Sequence, residues 1–122
     1  MLGAIKQIAV AVADLEKSKE FYGAGLGLAQ AYEVPGQMVF FDLAGIWLML
    51  SRPEGEFEAK PGSTLYFAVD DIHIAHRQLR ERGIEFIDEP HRIADMGAYE
   101  LWMSFFRDPD GTVLAIRSEV PK

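Results

Sequence analysis

The chain reads twice in the same order, and this internal repeat limits it more than any other feature. Ala11-Val12-Ala13-Asp14-Leu15 corresponds to Ala68-Val69-Asp70-Asp71-Ile72. Phe40-Phe41-Asp42 corresponds to Phe105-Phe106-Arg107, and Leu48-Met49-Leu50 to Leu114-Ala115-Ile116. A length of 122 residues is that of one domain. The expectation is therefore a single domain over residues 1–122, with a first module over about 3–52 and a second over about 62–119.

Each copy carries the same punctuation. Ile5 to Val12 is rich in β-branched residues and predicts a strand. Asp14 is a helix N-cap, ahead of a stripe of Leu15, Ser18, Phe21, Tyr22 and Leu26. Gly23, Gly25 and Gly27 end that helix. Strands follow over Leu28 to Val34, Met38 to Leu43 and Ile46 to Leu50, with turns at Pro35-Gly36 and Ala44-Gly45. Arg52 to Gly62 reads as a linker. In the second copy the strand is Thr64 to Val69, and Asp70 or Asp71 caps a helix with the stripe Ile72, Ala75, His76 and Leu79. A short strand over Ile84 to Ile87, a loop over Asp88 to Ala98, and strands over Glu100 to Phe106 and Thr112 to Ile116 complete it, with Asp108-Pro109-Asp110-Gly111 as a turn. The fold class is α+β, as two βαβββ modules with mixed sheets.

Composition removes several functions. Twelve Lys and Arg against nineteen Asp and Glu give a net charge of −7, with no basic run to hold nucleic acid or an anionic membrane. There is no Cys, so thiolate metal sites and a Cys nucleophile are out, and a reducing, cytoplasmic setting is expected. The longest apolar stretch, Met38 to Leu50, is interrupted by Asp42 and is too short to span a bilayer.

One parity of each strand is uniformly apolar and predicts the helix-facing side: Ile8, Val10, Val12; Ile46, Leu48, Leu50; Leu65, Phe67, Val69; Leu101, Met103, Phe105; Leu114, Ile116. The other parity mixes small, aromatic and polar residues, as a ligand cavity does. It carries Gln7, Trp47, Met49, Thr64, Tyr66, Glu100, Trp102 and Arg117, which are the candidate ligand-binding residues.

The repeat, the helix start Ala13-Asp14-Leu15-Glu16-Lys17-Ser18-Lys19-Glu20-Phe21-Tyr22, the helix end Gly25-Leu26-Gly27-Leu28 and the turn Phe105-Phe106-Arg107-Asp108-Pro109-Asp110-Gly111 resemble the vicinal oxygen chelate superfamily. That group includes glyoxalase I, methylmalonyl-CoA epimerase, extradiol dioxygenases, fosfomycin resistance enzymes and bleomycin-binding proteins. The resemblance implies that the two modules curve into a cup. It also implies that a divalent ion, where present, is held by one side chain from each of four strands. Matched by motif, those positions fall here on Gln7, Met49, Thr64 and Ala115. None is His, Asp or Glu, the donors such an ion takes. The expectation is a member without the usual metal site and with no cofactor.

The remaining polar residues leave alternatives open. His73 and His76 lie three apart on the second helix and read as helix-surface histidines. His91, in the stretch leading into a cavity strand, and Glu100, the one carboxylate on the cavity parity, are candidate acid–base residues for a metal-free lyase or isomerase. Beside that stands a protein that binds a small organic molecule through Trp47, Tyr66 and Trp102, similar to the metal-free bleomycin-binding members, with the acidic net charge favouring a cation. Open sheet edges and the resemblance point to a homodimer.

Overall fold

The computed structural model describes residue 1, residues 3–52 and residues 63–122. The linker read over Arg52 to Gly62 lies outside these, apart from Arg52. The chain divides into two compact modules, Met1–Gly62 and Ser63–Lys122.

The first module runs β1 (Gln7–Ala11), α1 (Leu15–Glu20), a wide π turn over Phe21–Gly25, then β2 (Ala29–Val34), β3 (Met38–Leu43) and β4 (Ile46–Ser51). The sheet order is β1-β4-β3-β2, with β1 parallel to β4. Asp14 is extended and its carboxylate accepts from the Lys17 N–H at 3.1 Å, the N-cap that the sequence announces. Six residues are too few for a helix to stand alone in water. Packing holds this one: Leu15, Ser18 and Tyr22 are buried, and the Tyr22 ring lies 6.4 Å from that of Phe41. At the β3–β4 turn Ala44 and Gly45 both take positive φ, 54° and 97°, as a two-residue hairpin requires, and Asp42 Oδ1 accepts from the Gly45 N–H.

The second module repeats the plan with β5 (Leu65–Ala68), α2 (Ile72–Glu81), β6 (His91–Asp95), β7 (Tyr99–Arg107) and β8 (Val113–Pro121), ordered β5-β8-β7-β6. Asp71 caps α2, accepting from His73 N and Ile74 N. The repeat holds to the residue. The pair Ala11↔Ser51 returns as Ala68↔Arg117, and Phe40↔Met49 returns as Phe105↔Ala115. In the Asp108–Gly111 turn, buried Asp108 accepts from the Asp110 and Thr112 amides. Among the described residues no helix is long and apolar enough to cross a membrane.

Three sequence expectations fail in the second module. Ile84 to Ile87 makes a single bridge, Phe86↔Phe106, in place of a strand. The outer strand is instead His91–Asp95, inside the expected loop; its polar composition suits an edge position. Between them Asp88 Oδ1 accepts from the Phe105 amide at 2.8 Å, satisfying a donor that a neighbouring strand would otherwise have taken. His76 is buried against Phe86, ring centroids 4.3 Å apart, and is no surface residue.

The third failure concerns β7. Paired residues in a sheet point the same way. Phe106 pairs with Leu114, Ser104 with Ile116 and Trp102 with Ser118, and Leu114, Ile116 and Ser118 are all buried. The Trp102 ring meets that of His73 on α2 at 5.5 Å, edge to face. Glu100, Trp102, Ser104 and Phe106 therefore face the helix, and Leu101, Met103 and Phe105 face away, the reverse of the parity read from sequence. Large apolar residues occupy both parities of this strand, so alternation carries no direction there. The deciding residue is Ser104, whose hydroxyl is buried and donates to the Asp88 carbonyl at 3.0 Å.

Candidate functional site

Each sheet has one face on its own helix and one face turned from it, called the far face below. The first far face is an aromatic row. Tyr32, Phe40 and Trp47 stand on β2, β3 and β4, with ring centroids 6.3 Å apart and then 5.1 Å apart. Trp47 is 39% exposed and Tyr32 57%, a large outlay of aromatic surface in water. Gln7 on β1 points its Nε2 at the Met49 sulfur, 3.7 Å away. Asp42, paired with Trp47, is the charge on this row of the face.

The second far face is built from Tyr66 on β5, Ala115 and Arg117 on β8, Met103 and Phe105 on β7, and His91 on β6. Tyr66 pairs with Ala115 and Ala115 with Phe105. The Tyr66 and Phe105 rings meet edge to face at 6.4 Å over the fully buried Ala115 methyl. One row along, His91 pairs with Met103 and Met103 with Arg117. His91 Nδ1 lies 2.9 Å from the Glu89 carbonyl oxygen, which can only accept. Nδ1 thus carries the proton in the neutral ring, and Nε2 is left as an acceptor. Arg117 is half-buried, and its guanidinium has no hydrogen-bond or ion-pair partner among the described residues.

Glu100 and Trp102 leave the candidate face. Glu100 Oε1 accepts from Trp102 Nε1 and Oε2 from Arg92 Nη1, each at 3.3 Å, so its carboxylate ties together residues of the helix side. Tyr32, Phe40, Met103 and Phe105 join in their place. The signal for two of them was in the repeat, because Phe40 and Phe105 occupy matched positions beside the helix-facing Phe41 and Phe106. The resolved electrostatic shifts lie off both far faces. A hydrogen bond from Lys19 holds Glu33 below the usual carboxylate range, and Lys122 does the same for Asp95.

The four positions matched to metal ligands can be tested as donors. Gln7 and Met49 come together in the first module. Thr64 directly precedes β5 and Ala115 is central in β8. An amide, a thioether, a hydroxyl and a methyl group do not suit a hard or borderline divalent ion, which needs charged oxygen or imidazole donors. Among the described residues no group of three or more His, Cys, Asp and Glu side chains is placed to hold one elsewhere.

Residues 4–116 match the sequence model of the Glyoxalase/Bleomycin resistance protein/Dioxygenase superfamily. An uncharacterised protein of Bacillus subtilis, YraH, is 30% identical over 125 aligned residues, covering 90% of this chain and 94% of its own. Among solved structures, a lactoylglutathione lyase from Agrobacterium tumefaciens superposes with a TM-score of 0.77 at 22% identity, over 97% of this chain and 95% of that one. A superfamily member from Sphaerobacter thermophilus gives 0.78 at 22%, over 97% and 98%.

Proposed function

The chain belongs to the Glyoxalase/Bleomycin resistance protein/Dioxygenase superfamily, and we propose that within it this protein binds a small organic molecule on its far sheet faces without the usual divalent ion. The aromatic row Tyr32–Phe40–Trp47 carries this reading. Exposed rings at stacking distance from one another offer a flat apolar group about 0.5–1.5 kcal/mol each beyond the area they bury. The donor chemistry at Gln7, Met49, Thr64 and Ala115 supports the metal-free part. Those four positions do not supply the ligand set that catalysis by an ion polarising substrate oxygens needs.

The test uses 2-naphthylmethanol, a neutral flat probe, followed through the indole N–H resonances. The Trp47 signal is expected to shift and the Trp102 signal to stay. Trp47→Ala should weaken the probe by about 1 kcal/mol or more. A probe that moves Trp102 and leaves Trp47 in place overturns the reading. So does about one divalent ion per purified chain that is lost with Gln7→Ala.

A second reading, acid–base turnover by a metal-free lyase or isomerase, rests on His91 alone. Its acceptor Nε2 belongs to the second far face, whereas Glu100 is spent on Trp102 and Arg92. Association as a homodimer remains part of the proposal, and a sedimentation mass near 13.7 kDa would contradict it.

A further inference from the structure

The net charge of −7 suggests a cationic ligand, but the charges on the second far face have the opposite sign. Arg117 stands between Ala68 and Met103, one row from Tyr66, Ala115 and Phe105. Arg107, paired with Val113, lies on the same face at its other end. Glu119, paired with Leu101, is the acidic residue on this face of β7 and β8, and it makes no ion pair with Arg117. Arg92, which is ion-paired with Glu100, is on the helix side.

From this arrangement we infer that the ligand of the second far face is an anion: a flat apolar body ending in one carboxylate. The inference rests on the binding reading above and narrows it to a substrate class. The flat body lies on Tyr66 and Phe105, whose edge-to-face contact leaves a ring face beside the buried Ala115 methyl. The carboxylate reaches Arg117. A guanidinium that is half out of water and has no counter-ion among the described residues is a charge whose desolvation none of them offsets. Its planar fork matches a carboxylate in two parallel hydrogen bonds. An ammonium group in that place would meet Arg117 with like charge.

Three probes separate the possibilities: 2-naphthoate, 2-naphthylmethanol and 2-naphthylmethylammonium, titrated into the whole chain by NMR and calorimetry. The anion is expected to bind at least tenfold more tightly than the neutral probe, and the ammonium more weakly than either. Arg117→Gln should remove the anion's advantage and leave the affinity for the neutral probe within twofold. Arg117→Lys should retain part of the advantage, which also serves as the check that the position tolerates change. Arg107→Gln should keep most of it.

Neutral binding with no preference for the anion would overturn this inference and leave the aromatic reading standing. An anion preference unchanged in Arg117→Gln would overturn it too. Failure of all three probes to bind would overturn both.

Discussion

The two modules share a frame and differ in what they hang on one side of it. On the helix side the matched positions are close in kind: Phe41 and Phe106, Leu48 and Leu114, Leu50 and Ile116, all buried. On the far side they part. Asp42 stands where the second module has Arg107, Ser51 where it has Arg117, and Trp47 where it has Val113. Aromatic bulk has moved from β4 in the first sheet to β5 in the second, where Tyr66 stands in the place of Ala9. One module offers exposed rings with a carboxylate, the other an exposed Tyr66 against half-buried Phe105, with arginines that have no ion-pair partner among the described residues. The helix side fixes the register of the strands, and the far side is then free to vary without loss of the fold.

The largest effect expected concerns the shared side. Phe41→Ala and Phe106→Ala should each cost about 3–5 kcal/mol, as large buried aromatics do, measured by chemical denaturation. If one of them cost below about 1 kcal/mol, the two cores would not be equivalent.

Next comes the strand whose two faces sequence confuses. Trp102→Ala should cost about 3 kcal/mol, because it removes the packing on His73 and leaves Glu100 without its indole partner. Phe105→Ala should cost about 1 kcal/mol less and weaken the binding of 2-naphthoate, which lies on that ring. The opposite order would return Trp102 to the far face.

How far sequence carries can be seen in that strand. The repeat, both aspartate caps, the hairpin positions and the helix side of four strands were legible, since each rests on local chemistry or on strict alternation. Leu101-Trp102-Met103 gives no alternation to follow, and the choice between its faces was made by Ser104 and Asp88, sixteen residues apart in sequence. His91–Asp95 was missed as a strand because an edge strand needs no apolar face of its own. Gln7, Trp47, Met49, Tyr66 and Arg117 stand on the far parity of their strands, where alternation is strict.

Asp88 sharpens the contrast between the modules, since the first has no counterpart to it. It accepts from Phe105 N and Ser104 Oγ where β6 has not yet begun. Asp88→Ala should therefore cost about 2 kcal/mol by leaving a half-buried amide unsatisfied, and an effect below about 0.5 kcal/mol would show that another group takes its place.

The smallest effect is electrostatic. Lys19 and Glu33 pair at 2.9 Å in the first module, while the matched residue His76 stays 3.8 Å from Glu89 in the second. Glu33 titrates below its unfolded value because Lys19 donates to it. Its contribution is therefore present above the unfolded carboxylate pKa and is lost as pH falls through the lower folded one. Lys19→Met should flatten that acid limb of a stability–pH curve by a small, salt-sensitive amount. A limb that keeps its slope would place the acid sensitivity elsewhere.

Ala115 sets the terms on which this chain could change its chemistry. Of the four positions matched to metal ligands, Gln7 is exposed, Met49 and Thr64 are half-buried, and each could take a longer or charged side chain by turning it outward. Ala115 has no accessible surface and sits between Tyr66 and Phe105. A carboxylate or imidazole there would have to displace an aromatic ring and lose its hydration at once. Three positions could drift toward a donor set one substitution at a time, each step tolerated alone. The fourth requires a coordinated change with a ring beside it, so recovery of an ion site is an epistatic problem centred on one methyl group.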